Sequence, residues 1–529
     1  MNWETVRQAR EILATEEGTI VKDWGGKLPI ALVYPNTYYV GMSSLGLQTL
    51  YAQLNRRPGV VAERVFWSPQ GTPYALESQE SLAAFAVLAV SISFELDILN
   101  LVDMLQRSGL GVLAAERAED APLVLAGGPV PTANPELLAP IVDAAFVGEA
   151  EEQLDRLADV LVETAAAPRS ERQRALSALP GLYVPDVSSL PVRRVWLQDL
   201  DAWPVHSVVL TPDTEFGDMY LVEVSRGCCR GCRFCLAGYL YRPLRQRSVP
   251  AILAQAAEGL RHRRTIGLVG AAVSDYIGIG DLVEGLRNLG ARIAVSSLRV
   301  HPLPDSLLRA LAEGGTQTLT LAPEAGSERL RRLVSKGISR DHVLAAAERA
   351  EQHGFPQLKL YFMVGLPGET EEDVEGIVEL VQEVKARFRR RITVQVTPFV
   401  PKPHTPFQRV PMAPTATLER RIREVTRGLR PAGIAVRAES TAWARVQGVL
   451  SRGDRALGQA LAELSAPTLA GWRRMLRHTG LEEEPYLRAR PASEALPWAV
   501  VADRQPGARR PVECLPCPGA EGVGEWGVP

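Results

Sequence analysis

The sequence predicts an α/β protein: a doubly wound parallel sheet over residues 1–200, a partial six-stranded β/α barrel over 201–412, a helical region over 413–500 and a tail over 501–529. Short apolar runs rich in Val, Ile and Leu alternate with stretches of helical spacing, as strands buried on both faces alternate with covering helices. At 529 residues the chain is long enough for several cores of about 100–200 residues each. Its 46% hydrophobic and 23% charged composition is that of an ordinary globular protein and excludes a dominantly disordered one.

In order, the first series of strands is Leu28–Tyr34, Val60–Phe66, Val87–Ser93, Leu123–Ala126 and Ala144–Val147, with helices at Leu45–Leu54 and Leu96–Ser108 between them. Ligands of such sheets bind in the loops beyond the strands' C-terminal ends. A helical stretch, Glu151–Leu179, and a proline-studded connector, Pro180–Pro212, lead to the second series: Tyr220–Val224, Ile266–Val269, Ile293–Ser296, Leu319–Leu321, Leu358–Met363 and Ile392–Thr397. After Met412 the pattern is helical and charged, over Leu418–Leu429, Ala456–Leu464 and Leu469–His478. The final residues, rich in Gly and Pro and carrying Cys514 and Cys517, read as a mobile dithiol tail, the alternative being an auxiliary cluster or redox relay formed with Cys229.

Charge and cysteine usage narrow the function. Net charge is −2 and only six of the 59 basic residues are Lys, so no basic excess points to nucleic acid. No apolar run of about 18 residues or more is present and the N-terminal segment lacks an apolar signal core, which predicts a cytoplasmic protein without a membrane partner. Six Cys are too few for a disulfide scaffold, and none precedes Cys228. Residues 225–235 contain Cys228, Cys232 and Cys235 in Cys-x-x-x-Cys-x-x-Cys spacing, with Gly227 and Gly231 letting the loop wrap. Three thiolates hold three corners of one iron–sulfur cubane and leave the fourth iron open to an exogenous group. The alternative is zinc with Cys229 as a fourth ligand.

These residues resemble the radical S-adenosylmethionine (radical SAM) superfamily, in which such a loop follows the first barrel strand and SAM chelates the open iron. Phe234 fits the pattern, and IGLVGAAVSDY, RIAVSSLRV, LTLAPEAGSERL and LKLYFMVGLPGETEED follow in the order of the later strands, over roughly 215–410. The resemblance implies a [4Fe-4S] cluster on the three cysteines, SAM, and an electron donor such as flavodoxin or ferredoxin. Carried over, Ser274 and Asp275 approach the SAM amino group, Glu324 faces its polar groups, and Gly365, Leu366, Pro367 and Gly368 lie against the adenine. Glu369 is either part of that contact or a helix N-terminal carboxylate. Arg242, Arg245 and Arg247 are expected to balance the charge of cluster and SAM.

The barrel segments resemble methylthiotransferases, but those enzymes need three further cysteines in the N-terminal domain, and this chain has none there. The order of domains, with YPNTYYVGMSSLGLQTLYAQLN, LAGGPVPTANPE and FVPKPHTPFQ, resembles instead a bacterial family of cobalamin-binding-domain radical SAM proteins of unassigned reaction. That resemblance implies cobalamin in the first domain, with Thr37, Tyr38, Ser91, Ser93, Glu95, Gly127 and Gly128 as its lining. The first His is His206, so no imidazole ligand comes from that domain. The alternative is a sheet that kept the fold and lost the cofactor. His404 is read either as a site contact or as a loop residue, and the basic run 385–391 as an RNA contact or a solvated helix end. The expected function is SAM cleavage to a 5′-deoxyadenosyl radical, with methylation of an unactivated carbon; the alternatives are a cobalamin-independent radical enzyme and a non-catalytic iron–sulfur protein. The substrate is not marked.

Overall fold

The computed structural model describes residues 3–502. Its first sheet contains β1 (Leu28–Tyr34), β2 (Val60–Phe66), β3 (Val87–Ser91), β4 (Leu123–Gly127), β5 (Ala144–Phe146) and β6 (Leu182–Tyr183), in the order β2-β1-β3-β4-β5-β6. The first five are parallel, and β6 pairs antiparallel with β5. Helices 45–56 and 97–107 follow β1 and β3, each burying an apolar stripe. Both faces of the sheet are covered, because alternate residues of β1 belong to different cores: Ala31 and Val33 to one, Ile30 and Leu32 to the other.

The second series runs through β7 (Met219–Glu223), β8 (Ser225–Arg226), β9 (Arg245–Gln246), β10 (Thr265–Val269), β11 (Arg292–Val295), β12 (Thr318–Glu324), β13 (Gln357–Val364), β14 (Arg391–Pro398) and β15 (Ala435–Ala438). Parallel pairing gives β11-β10-β7 and β12-β13-β14-β15, while β8 and β9 form a separate antiparallel pair. A parallel bridge between Leu298 and Leu321, with the Leu298 N–H donating to Thr320 O at 3.0 Å, joins the two parallel groups into one curved wall.

Two features differ from the expectation. The stretch 151–179 is two helices, 154–163 and 169–177, interrupted where Pro168 stands before the second. The region after 412 is not purely helical: β15 adds to β14, and a further helix spans 441–451. β15 is only four residues, too short for its alternation to stand out. Residues 503–529, with Cys514 and Cys517, lie outside the described residues. Among the described residues no helix is long and apolar enough to cross a membrane.

Candidate cofactor site

β8 leads from the end of β7 into the cysteine loop. Gly227 has φ +82°, and a Cβ there would lie 2.4 Å from the Tyr241 carbonyl oxygen and 2.7 Å from that of Pro243. Glycine is what lets the loop pass under the returning 241–243 segment. Cys232 is buried, and Cys228 and Cys235 are half-buried. The Arg230 N–H donates to Cys228 Sγ at 3.4 Å, and the Gly238 N–H donates to the Cys235 carbonyl at 3.1 Å. Burial pushes the Cys232 and Cys235 thiols up; Lys336 opposes this at both, Arg299 at Cys232 and the Gly238 amide at Cys235. The thiolate is the metal-binding form, and these groups would offset the charge that ligation of a metal there creates. Among the described residues no three His, Cys, Asp or Glu side chains converge on a single ion. A cubane asks something else, that each thiolate meet a different iron.

Strand ends bring further polar groups to this loop. After β10, Asp275 receives Arg230 Nε at 3.0 Å and Nη2 at 2.9 Å, with Arg299 Nε at 3.4 Å. Its carboxylate is thus spent on two guanidiniums, whereas the hydroxyl of its neighbour Ser274 is buried with no hydrogen-bond partner. At the end of β12, Glu324 has φ +70°, just after a register shift, and accepts Lys336 Nζ at 2.8 Å. Arg299 and Lys336 were not singled out in the sequence; their position one residue past a bridge and in a loop return gives no local signal. The three arginines expected to balance charge are each engaged by another partner. Arg245 forms two 2.8 Å bonds with Glu149, Arg247 pairs with Glu223, and Arg242 stacks over Tyr239 at 4.1 Å.

After β13, Gly365 has φ +84° and Gly368 has φ +71°, which shape the Gly-Leu-Pro-Gly turn. Leu366 is buried with Phe399 and Phe407, and Phe234 of the cysteine loop packs on this cluster. Pro367 is half-buried between the two turn glycines. Glu369 is not a helix cap, because Thr370 and Asp373 cap the helix 371–387. Its carboxylate accepts the Gly365 N–H at 2.6 Å and pairs with Arg421 of the helix 415–429. Burial raises this acid to about 7 despite the Gly365 and Arg421 contacts.

The residues expected to line one cofactor pocket are divided. A cavity of about 510 Å³ holds Ser91, Ser93, Gly127 and Gly128 and continues to Gly227 and Tyr241 of the barrel. A Cβ at Gly127 would lie 3.9 Å from Phe146 Cβ, and one at Gly46 3.8 Å from Ser44 Oγ, both at ordinary van der Waals distance. Leu125, Phe146 and Leu157 make the wall apolar. Thr37 and Tyr38 instead line a separate cavity of about 510 Å³ with Trp67 and Tyr74, beyond β1 and edge strand β2. Glu95 lines neither: it is buried and bonded to Lys402 at 2.5 Å and Gln447 at 2.9 Å. Strand-end position, common to all seven, does not tell which side of the sheet a loop folds toward. His206 lies outside the cavity, stacked on Tyr220 at 5.6 Å. His404 Nε2 bonds the Ala133 carbonyl at 2.9 Å, and Lys385 folds back on the carbonyls of Arg389 and Arg390.

The family description "Radical SAM proteins, N-terminal" matches residues 46–185, and "Radical SAM superfamily" matches residues 222–381. An uncharacterized protein of Methanocaldococcus jannaschii is 30% identical over 443 residues, covering 83% of this chain and 92% of the relative. The chain belongs to the radical SAM superfamily. This radical SAM protein is also 26% identical over 287 residues to an uncharacterized methyltransferase of Pyrococcus horikoshii, covering 51% of this chain and 60% of the relative. Its fold is that of the radical S-adenosylmethionine methyltransferase TsrM from Kitasatospora setae, solved with cobalamin and a [4Fe-4S] cluster bound: TM-score 0.52, 12% identity, 86% of this chain and 99% of that chain. Membership brings a [4Fe-4S] cluster and SAM as cofactors.

Proposed function

We propose that this radical SAM protein cleaves SAM reductively at a cluster on Cys228, Cys232 and Cys235 and holds cobalamin on its N-terminal sheet, the two serving methylation of an unactivated carbon. One observation carries the reading: a single apolar cavity runs from Gly127 and Gly128 of the sheet to Gly227, Ala237 and Tyr241 around the cysteine loop. Cofactors seated at its two ends would face a shared space. When bound, cluster and SAM supply a 5′-deoxyadenosyl radical and cobalamin supplies a methyl carrier.

The chain's own part is to hold and orient. Each of the three thiolates would take one iron, with Arg299 and Lys336 offsetting their charge. The partnerless Ser274 hydroxyl is a donor in wait for a ligand, since an unsatisfied buried polar group costs about 1–3 kcal/mol. Glu324, fixed by Lys336, presents an acceptor at the same strand ends. The Gly365–Gly368 turn offers backbone and the Leu366 face to an aromatic ring. The cavity wall is mostly apolar and carries no imidazole, which suits a corrin held without a His ligand from this protein. The TsrM fold match and the methyltransferase name of the Pyrococcus relative support the same reading. The electron comes from an external one-electron donor such as flavodoxin or ferredoxin.

Anaerobic reconstitution with iron and sulfide, followed by SAM and dithionite, is expected to yield 5′-deoxyadenosine, and alanine at any of the three cysteines is expected to abolish it. Absence of 5′-deoxyadenosine overturns SAM cleavage. Hydroxocobalamin is expected to co-elute with the chain and show a base-off spectrum; no uptake overturns the cobalamin half alone.

A further inference from the structure

The inner wall of the barrel carries an unused pair of cations. Leu358, Leu360, Phe362 and Val364 of β13 are buried in the core shared with the covering helices, so Lys359, Tyr361 and Met363 face the barrel interior. Met363 packs on the same apolar cluster as Phe234, which ties this inner face to the cysteine loop above it. Parallel register extends the face sideways: Thr320, Lys359, Thr393 and Ala435 form one level, and Tyr361, Gln395 and Arg437 the next. On β15, Val436 packs toward the core, which leaves Arg437 on the same face as Gln395. Closed β/α barrels fill this space with branched apolar side chains. Here it is polar: Thr393 is buried, Thr320, Lys359, Tyr361 and Gln395 are half-buried, and Arg437 is exposed.

The lysines make the point sharper. Only six Lys occur in the chain. Lys22 donates to the carbonyls of Asn55, Arg57 and Val60, Lys27 to that of Asp23, and Lys385 to those of Arg389 and Arg390. Lys336 pairs with Glu324 and Lys402 with Glu95. Lys359 alone has no oxygen partner among the described residues; its ammonium lies 4.9 Å above the Tyr361 ring, drawn toward the cysteine-loop end. Arg437, two strands away at about 4.8 Å per strand, forms no ion pair among the described residues either. The carboxylates on that face are Glu324, held by Lys336, and Glu439, one level nearer the rim; neither pairs with Lys359 or Arg437.

We infer that Lys359 and Arg437, with Gln395 between them, form an oxyanion-binding wall inside the barrel, and that the substrate carries a phosphate or carboxylate group held there. An ammonium and a guanidinium on neighbouring levels, bridged by an amide donor, suit a dianionic group. This deepens the proposed function by assigning a substrate class to its barrel, and it rests on that reading for the word substrate. Anion binding itself is tested without SAM cleavage.

The test is lysine acetylation of the reconstituted holoenzyme with an N-hydroxysuccinimide ester, read at each of the six lysines by peptide mass spectrometry. Inorganic phosphate and succinate serve as probes in separate arms. The expected result is saturable protection of Lys359 by at least one of them with the other five lysines unchanged; protection by phosphate alone assigns a phosphate ester, and by succinate alone a carboxylate. Lys359→Met and Arg437→Ser are each expected to weaken binding of that probe in equilibrium dialysis by about tenfold or more, and Lys359→Arg to retain it. No protection of Lys359, equal protection of all six lysines, or protection by SAM alone overturns the proposal. The wild-type footprint stands as a test even where a variant fails to fold.

Discussion

At the scale of single residues, Glu369 shows how one carboxylate ties the Gly-Leu-Pro-Gly turn to a distant helix. It accepts the Gly365 N–H and pairs with Arg421, and burial sets its proton affinity: its pKa is about 7 in the fold against 4.5 when free. Because the folded state holds this proton more tightly, the contribution to stability is full below about pH 4.5 and is lost as pH rises through about 7. Urea unfolding of the wild type is expected to show this loss, on the order of 3 kcal/mol between those limits, and Glu369→Gln is expected to flatten it. A variant with the wild-type slope would remove Glu369 as its source. The Gly-Leu-Pro-Gly-Glu run was legible in the sequence because its glycines and proline are local signals. The partner Arg421 was not, since 52 residues separate it from Glu369 and nothing in its own helix marks it. The same holds for Arg299 and Lys336, whose place beside the thiols depends on where β12 and its loop return.

At the scale of elements, strands buried on both faces were readable where a short apolar run such as Leu28–Tyr34 or Leu123–Gly127 ends in turn residues before a stretch of helical spacing. The two-residue strands β8 and β9 carry no period and were invisible, yet they fix the cysteine loop. Two glycines of that loop separate strain from presence. Gly227 combines a positive φ with carbonyl oxygens where a Cβ would stand, while Gly231 has nothing within 4 Å and an ordinary φ. Gly227→Ala forces either a strained backbone, at about 1–3 kcal/mol, or a shift of the loop away from 241–243. Iron and sulfide per chain after anaerobic reconstitution are expected to fall several-fold in Gly227→Ala and to stay at the wild-type level in Gly231→Ala. Equal loading in both would show that the approach to Tyr241 and Pro243 does not shape the cysteine loop.

At the scale of the whole molecule, the first sheet and the barrel are joined by buried charges that no local pattern announces. Glu149, just past β5, takes both guanidinium nitrogens of Arg245 from β9 and one of Arg226 from β8; Arg226 also binds Glu151 and Glu223. The Glu149 side chain is 4% exposed, so its charge is held almost entirely by these partners. Burial opposes ionisation, but Arg245 and Arg226 outweigh it and hold the acid below its usual range. Its stabilisation is therefore present above the free-carboxylate pKa and is lost as pH falls through the lowered folded value. Glu149→Ala would leave Arg245 buried without a carboxylate, at a cost of roughly 3–5 kcal/mol, at the place where the cavity passes from sheet to cysteine loop. Pairing it with Arg245→Met separates two causes. If the loss comes from an uncompensated buried charge, the double variant regains a large part of the stability in urea unfolding, because neither charge is then stranded. If the loss comes from packing at the interface, the two substitutions add or worsen each other, and the view of this ion pair as the electrostatic joint between sheet and barrel fails.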